Sequence, residues 1–162
     1  MKKLLISGLV ISTLFLATQA QAAAKSERCV AANETQIKGL FDRWNKSLAT
    51  GSPAEVAKNY APKSVLLATL SNEPRDTSEE KIEYFTHFLE KKPQGVIDTR
   101  NIYLDCNTAV DAGTYTFTLG NGTVVPARYT FTYKYFGKKQ GWLITSHHSS
   151  MMPEKIAAAT TH

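Results

Sequence analysis

No apolar run in this chain matches the roughly 20 residues that a bilayer-spanning helix requires; the longest, Leu4 to Ala17, covers roughly 14. A transmembrane anchor is therefore not expected. Basic residues do not cluster either. The pairs Lys91-Lys92 and Lys138-Lys139 each sit beside Pro or Gly and read as solvated loops. Nucleic-acid binding needs a concentrated basic face, so that class is set aside. There is no Gly-x-Ser-x-Gly turn, no Gly-rich nucleotide loop and no His-Arg-Asp segment, which leaves hydrolase and kinase chemistry without support. Cys-x-x-Cys and His-x-x-x-His spacings are missing as well. Neither a metal nor a cofactor is expected.

What is present begins with Met1-Lys2-Lys3, the apolar run, and Ala20-Gln21-Ala22. A positive start, a short apolar centre and small residues at −3 and −1 form a secretory signal peptide cleaved after Ala22. Residues 1–22 are then removed, 23–33 form a tail, 34–153 the domain and 154–162 a frayed C-terminus. Loss of Lys2 and Lys3 lowers the formal net charge of +5 by two. Ser26-Glu27-Arg28 lacks the small and apolar residues of a lipid-anchor site at Cys29. An exported chain meets an oxidising compartment, so Cys29 and Cys106 read as a disulfide. Localisation is expected to be periplasmic or secreted, with no membrane contact after cleavage.

From Glu34 to Leu48, Ile37, Leu40, Phe41, Trp44 and Leu48 recur at spacings of three and four, one face of an amphipathic helix. Gly51 stops it. Ser52-Pro53 opens a second short helix with face Val56, Ala57 and Tyr60, ended by Pro62. Ser64 to Leu70 is β-prone. Thr77 or Ser78 before Glu79-Glu80 predicts a third helix start, with Ile82, Phe85, Phe88 and Leu89 inward. After Gly95 the period becomes two: Val96–Asp105, Thr108–Leu119, Val124–Tyr135 and Trp142–Ser149 read as strands. Helices followed by antiparallel strands predict an α+β domain, helices on one face of a curved sheet.

Several strings give this order a family likeness: Leu40-Phe41-x-x-Trp44, Tyr84-Phe85 with Phe88-Leu89, Arg128-Tyr129-Thr130-Phe131, and Gly141-Trp142-Leu143-Ile144 running into His147-His148-Ser149-Ser150. Together they resemble the cone-shaped fold of nuclear transport factor 2 and ketosteroid isomerase. Within it, the likeness is to the association (hub) domain of calcium/calmodulin-dependent kinase II and its small secreted bacterial relatives. The resemblance covers about Glu34 to Pro153. It implies a conical half-barrel with a ligand-sized cavity between helices and sheet. It also implies self-association through the convex face, as a homodimer or larger ring. The arginines and histidine that hold small carboxylates in hub domains mostly do not carry over. Their positions fall on Ser149, near Phe117 and near Lys81, and only Arg128 lies close to a hub arginine.

His147 and His148 are strand neighbours and must point to opposite faces. The resemblance places His147 inward, as a candidate acid–base group, and leaves His148 with Trp142 and Ile144. Arg100 and Arg128 sit in strands among apolar residues, where each is an anion-binding group or half of an ion pair. The expectation is that the Arg128-Thr130-Thr132 face encloses the cavity; if the Tyr129-Phe131-Tyr133 face is the core instead, Arg128 is a surface residue. Tyr60, Tyr115 and Trp44, with Tyr84 and Phe117, are candidate pocket aromatics or plain core. Arg75-Asp76 could gate a cavity mouth, an exposed ion pair being the default. No Asp base with an oxyanion pair can be placed; Asp42 and Asp105 qualify by location only. The function expected is an exported, oligomeric small-molecule-binding or assembly module for an anionic or aromatic ligand. The alternative is an isomerase- or cyclase-type enzyme using His147 and Arg128.

Overall fold

The computed structural model describes residues 28–69 and 71–154. The expected signal peptide, its cleavage after Ala22 and the tail from Lys155 lie outside them. Among the described residues no helix is long and apolar enough to cross a membrane.

The first helix, α1, spans Glu34–Leu48 and buries the five apolar residues of its predicted face. Asn33 caps it: its side chain accepts from Gln36 N while Gln36 returns a bond to the cap backbone. Helix α2 is only Pro53–Ala57, with Ser52 as cap and proline at the first turn. Strand β1, Tyr60–Leu67, follows at once. Tyr60 thus belongs to a strand and not to the second helix, and Pro62 lies inside that strand. An edge strand tolerates proline because one row of its N–H groups has no ladder partner. Here the register also slips between Tyr60 and Val65.

Helix α3, Ser78–Leu89, starts at Thr77, whose hydroxyl and Glu80 form a second reciprocal cap. Four long strands complete the chain: β2 Gln94–Asp105, β3 Thr108–Thr118, β4 Val124–Tyr135 and β5 Trp142–Met151. The sheet order is β1-β5-β4-β3-β2, antiparallel except for the parallel β1–β5 pair.

The face that packs on the helices is the aromatic one. Tyr129, Phe131 and Tyr133 of β4 are buried, as are Tyr115 and Phe117 of β3. They meet Phe41 and Trp44 of α1: Trp44 stands edge-on to Phe131 at 5.5 Å and to Phe117 at 6.3 Å. Each such ring removes about 150–250 Å² from water, an area that Thr130, Thr132 and Arg128 cannot match. The aromatic face therefore wins the core. The expectation that the Arg128-Thr130-Thr132 side encloses the hollow is corrected.

Candidate functional site

β5 does not keep one parity. Trp142 and Ile144 face the helices, and so do His147 and Ser149 beyond them. One extra residue resolves this: Thr132 pairs with Ser146 but Tyr133 pairs with Ile144, leaving Thr145 as a bulge. The bulge turns the His147 side chain inward on the same face as Ile144. The expected grouping of His148 with Trp142 and Ile144 is thereby corrected, since His148 is exposed on the outer face.

His147 lines a cavity of about 310 Å³ between α3 and the sheet, within the size range of small-molecule sites. Trp44, Phe85 and Phe88 wall it on the helix side, Tyr115 and Phe117 on the sheet side. Its polar lining includes Thr69, Arg75, Glu83, Lys91, Ser149 and the His147 imidazole. Nδ1 of His147 lies 2.9 Å from the Tyr60 hydroxyl, which accepts from Trp44 Nε1 at 3.1 Å. The imidazole stacks on Phe131 with centroids 4.0 Å apart. Its other nitrogen, Nε2, is buried without a hydrogen-bond partner. Burial, with a smaller contribution from His148, holds this imidazole down to about 3, so it is neutral near pH 7. Burial likewise pushes the phenols of Tyr60 and Tyr115 well up, and both stay protonated.

Arg75 reaches the cavity because its segment is pinned. Its backbone pairs with Leu66 in both directions, at 3.0 and 3.1 Å. Lys81, itself buried, donates to the carbonyls of Ser64, Asp76 and Thr77, tying the start of α3 to β1. Burial lowers the Lys81 pKa. The Arg75 guanidinium reaches Glu83 at 3.4 Å, but Glu83 is 63 % exposed and the pair is weakly held. Arg75 Nε is buried and unpaired. Along the far wall, Tyr115 donates to Ser149 Oγ at 2.6 Å, and Ser149 shares a hydrogen bond of 2.5 Å with Thr69.

Of the expected site residues, Trp44, Tyr84, Tyr115, Phe117 and His147 come together in this cavity. Tyr60 stands behind His147 and lines a second hollow of about 290 Å³ with Lys81 and Ile82. Arg100 faces inward but away from the cavity. It pairs with the fully buried Asp111 at 3.1 Å, to which Tyr129 also donates at 2.8 Å. Burial raises the Asp111 pKa. Arg128 is exposed on the outer face, held by Ser150 Oγ at 3.2 Å, so it shares no cavity with His147. Asp42 and Asp105 are exposed. Among the described residues no three His, Cys, Asp or Glu side chains gather as a metal site would require.

Thr69 was not among the expected site residues; Arg75 was named as a group that could gate a cavity mouth, with an exposed pair to Asp76 as the default, and it lines the cavity with Glu83 as its ion-pair partner. A loop carries no periodicity, so nothing in the sequence aims a loop side chain. Ser149 had one pointer: it occupies a position where hub domains place a ligand-holding arginine.

Helices laid across one face of an open five-stranded sheet, with a pocket beneath them, define a nuclear-transport-factor-2-like cone protein. More particularly, the chain belongs to the calcium/calmodulin dependent protein kinase II association domain family, whose profile matches residues 33–153. It is similar to a crystal structure from Xanthomonas campestris described as such an association domain. The two are 48% identical with a TM-score of 0.72, over 80% of this chain and 97% of that one. A nuclear transport factor 2-like superfamily protein from Salmonella enterica shares the fold at 18% identity and TM-score 0.62, over 79% and 96% of the two chains. So does a Catenulispora acidiphila protein in complex with S-DNPA, at 17% identity and TM-score 0.62, over 72% and 91%. No curated protein is a significant match.

Proposed function

We propose that the chain is an exported, self-associating module whose cavity binds a small molecule with an apolar or aromatic body and an anionic group. One observation carries the reading. Two cationic or polar side chains, Arg75 and His147, line an aromatic-walled cavity with a buried nitrogen on each that has no partner. A buried unpaired N–H costs about 1–3 kcal/mol, and an anionic acceptor in the cavity would recover that cost. The Catenulispora protein of the same fold, solved in complex with S-DNPA, supports the use of this fold for ligands. Export rests on the signal pattern and agrees with the Cys29–Cys106 disulfide.

The isomerase or cyclase alternative has less support. An imidazole held near 3 is a poor base at neutral pH, and its intended partner Arg128 lies on the opposite face of the sheet. Thermal denaturation with small aromatic carboxylates tests the binding reading, benzoate being the first probe. Ligand should raise the melting temperature by mass action, and Arg75→Ala should remove that rise with little change in the unliganded midpoint. No shift with any aromatic acid in the unaltered protein would defeat the proposal.

A further inference from the structure

The Tyr60 oxygen sits between two nitrogens, and their hydrogens can be counted. Indole N–H is a donor only, so Trp44 occupies one lone pair of the Tyr60 oxygen. The phenol keeps one hydrogen and one lone pair, and its other hydrogen-bond partner is His147 Nδ1. Suppose Nδ1 carried the imidazole proton. It would donate to the second lone pair, and the phenol hydrogen would be left without an acceptor in a side chain that is 7% exposed. With Nδ1 bare, the phenol donates to it and every polar atom of the three side chains is paired except Nε2.

We infer that Trp44 and Tyr60 lock His147 in the tautomer that carries its proton on Nε2, so that the cavity offers a hydrogen-bond donor there and selects acceptor-bearing ligands. The depressed imidazole pKa agrees, because it removes the doubly protonated ring from consideration near pH 7. Cationic and donor side chains also outnumber carboxylates on the rest of the lining, where Arg75 and Lys91 stand with Glu83. Arg75 Nε can only donate. Tyr115 donates into the Ser149–Thr69 pair, which needs only one further hydrogen for its mutual bond and so has one left over. Glu83 is the one carboxylate of the lining and it pairs with Arg75 at 3.4 Å, so His147 Nε2 and Arg75 Nε are the buried donors of the lining residues left without an acceptor. Tyr60 and Trp44 are positioning residues, acting through His147, and the ligand consequence rests on the cavity reading above.

Long-range proton–nitrogen NMR of the imidazole tests the lock directly in the whole protein, without any ligand. His147 Nδ1 should resonate as an imine-type nitrogen and Nε2 as a pyrrole-type one. In Tyr60→Phe both tautomers should appear, and benzoate affinity should fall about twofold as the competent fraction halves. A wild-type spectrum with the proton on Nδ1, or averaged between the two, overturns the inference. So does a Tyr60→Phe ring unchanged from wild type. If that variant does not fold, the wild-type spectrum decides alone. An Nε2–H ring in a protein that ignores benzoate would uphold the lock and sink the binding reading instead.

Discussion

Burying an imidazole ties folding to acidity, and at His147 the sign can be worked out. Unfolded, the ring titrates near 6.5; folded, it stays neutral down to about 3. Between those values the unfolded chain holds a proton that the native state refuses, so stability is full above about 6.5 and drains as pH falls towards 3. The slope approaches about 1.4 kcal/mol per pH unit. His147→Gln should remove this component. Urea denaturation at pH 7 and pH 4.5 should show the wild type losing about 2–3 kcal/mol more than the variant across that interval. Equal losses in both proteins would mean that His147 is not the buried neutral group described. At this scale the sequence reached a histidine at the site through family likeness. It could not show that the ring is sealed between Trp44, Tyr60 and Phe131, because those contacts join residues far apart in the chain.

Among the elements, those with local causes were legible. The buried stripe of α1, the proline-started α2 and the reciprocal cap at Thr77 are written within a few residues each. The irregularities were not. β1 slips between Tyr60 and Val65, β2 between Ile97 and Thr99, and β5 carries the extra Thr145. Alternation predicts a face only where the ladder is regular, and the extra residues in β2 and β5 exchange the faces beyond them. At the β2 slip, Gly113 meets Thr99 so closely that a Cβ would lie 2.0 Å from its carbonyl oxygen and 2.7 Å from its carbonyl carbon. Both are backbone atoms and cannot swing aside. Gly113→Ala should therefore part β2 from β3 and cost about 3 kcal/mol or more. Gly39→Ala, on the exposed side of α1 with nothing within 4 Å of the new methyl, should instead add up to about 1 kcal/mol. Urea midpoints of the two variants check the contrast; a Gly113→Ala protein as stable as wild type would contradict the packing.

For the molecule as a whole, the described N-terminal residues are fastened to the turn between β2 and β3. The Cys29–Cys106 disulfide spans 77 residues, and Asn107 at the same hairpin accepts from Val30 N and donates to the Arg28 carbonyl. On the chain-entropy account such a closure contributes roughly 4 kcal/mol. Among the described residues no helix lies over the outer face of the sheet. Its strands display Thr114, Thr116, Thr130 and Thr132, with Val96 at 64% and Tyr103 at 72% exposed. We read this surface as the self-association face, in line with a family of association domains. Thr130→Arg sets a charge near its middle, where like charges from two copies would meet. Light scattering should then report a single-chain mass for the variant and a multiple of it for the wild type. A wild type that is monomeric at high concentration ends this reading.

The sequence by itself determined the buried face of α1, the Ser52 cap of α2, the four long strands, the cysteine pairing and the family likeness. These follow from neighbours within a turn or a strand, or from a count of two thiols. Only the tertiary structure decided which side of the sheet is the core, and with it the outward placing of Arg128 and the inward placing of Arg75 and His147. Both faces of an alternating strand read equally well in isolation. The choice is made by what α1 brings against them, and the aromatic rings remove far more surface from water than the threonines opposite.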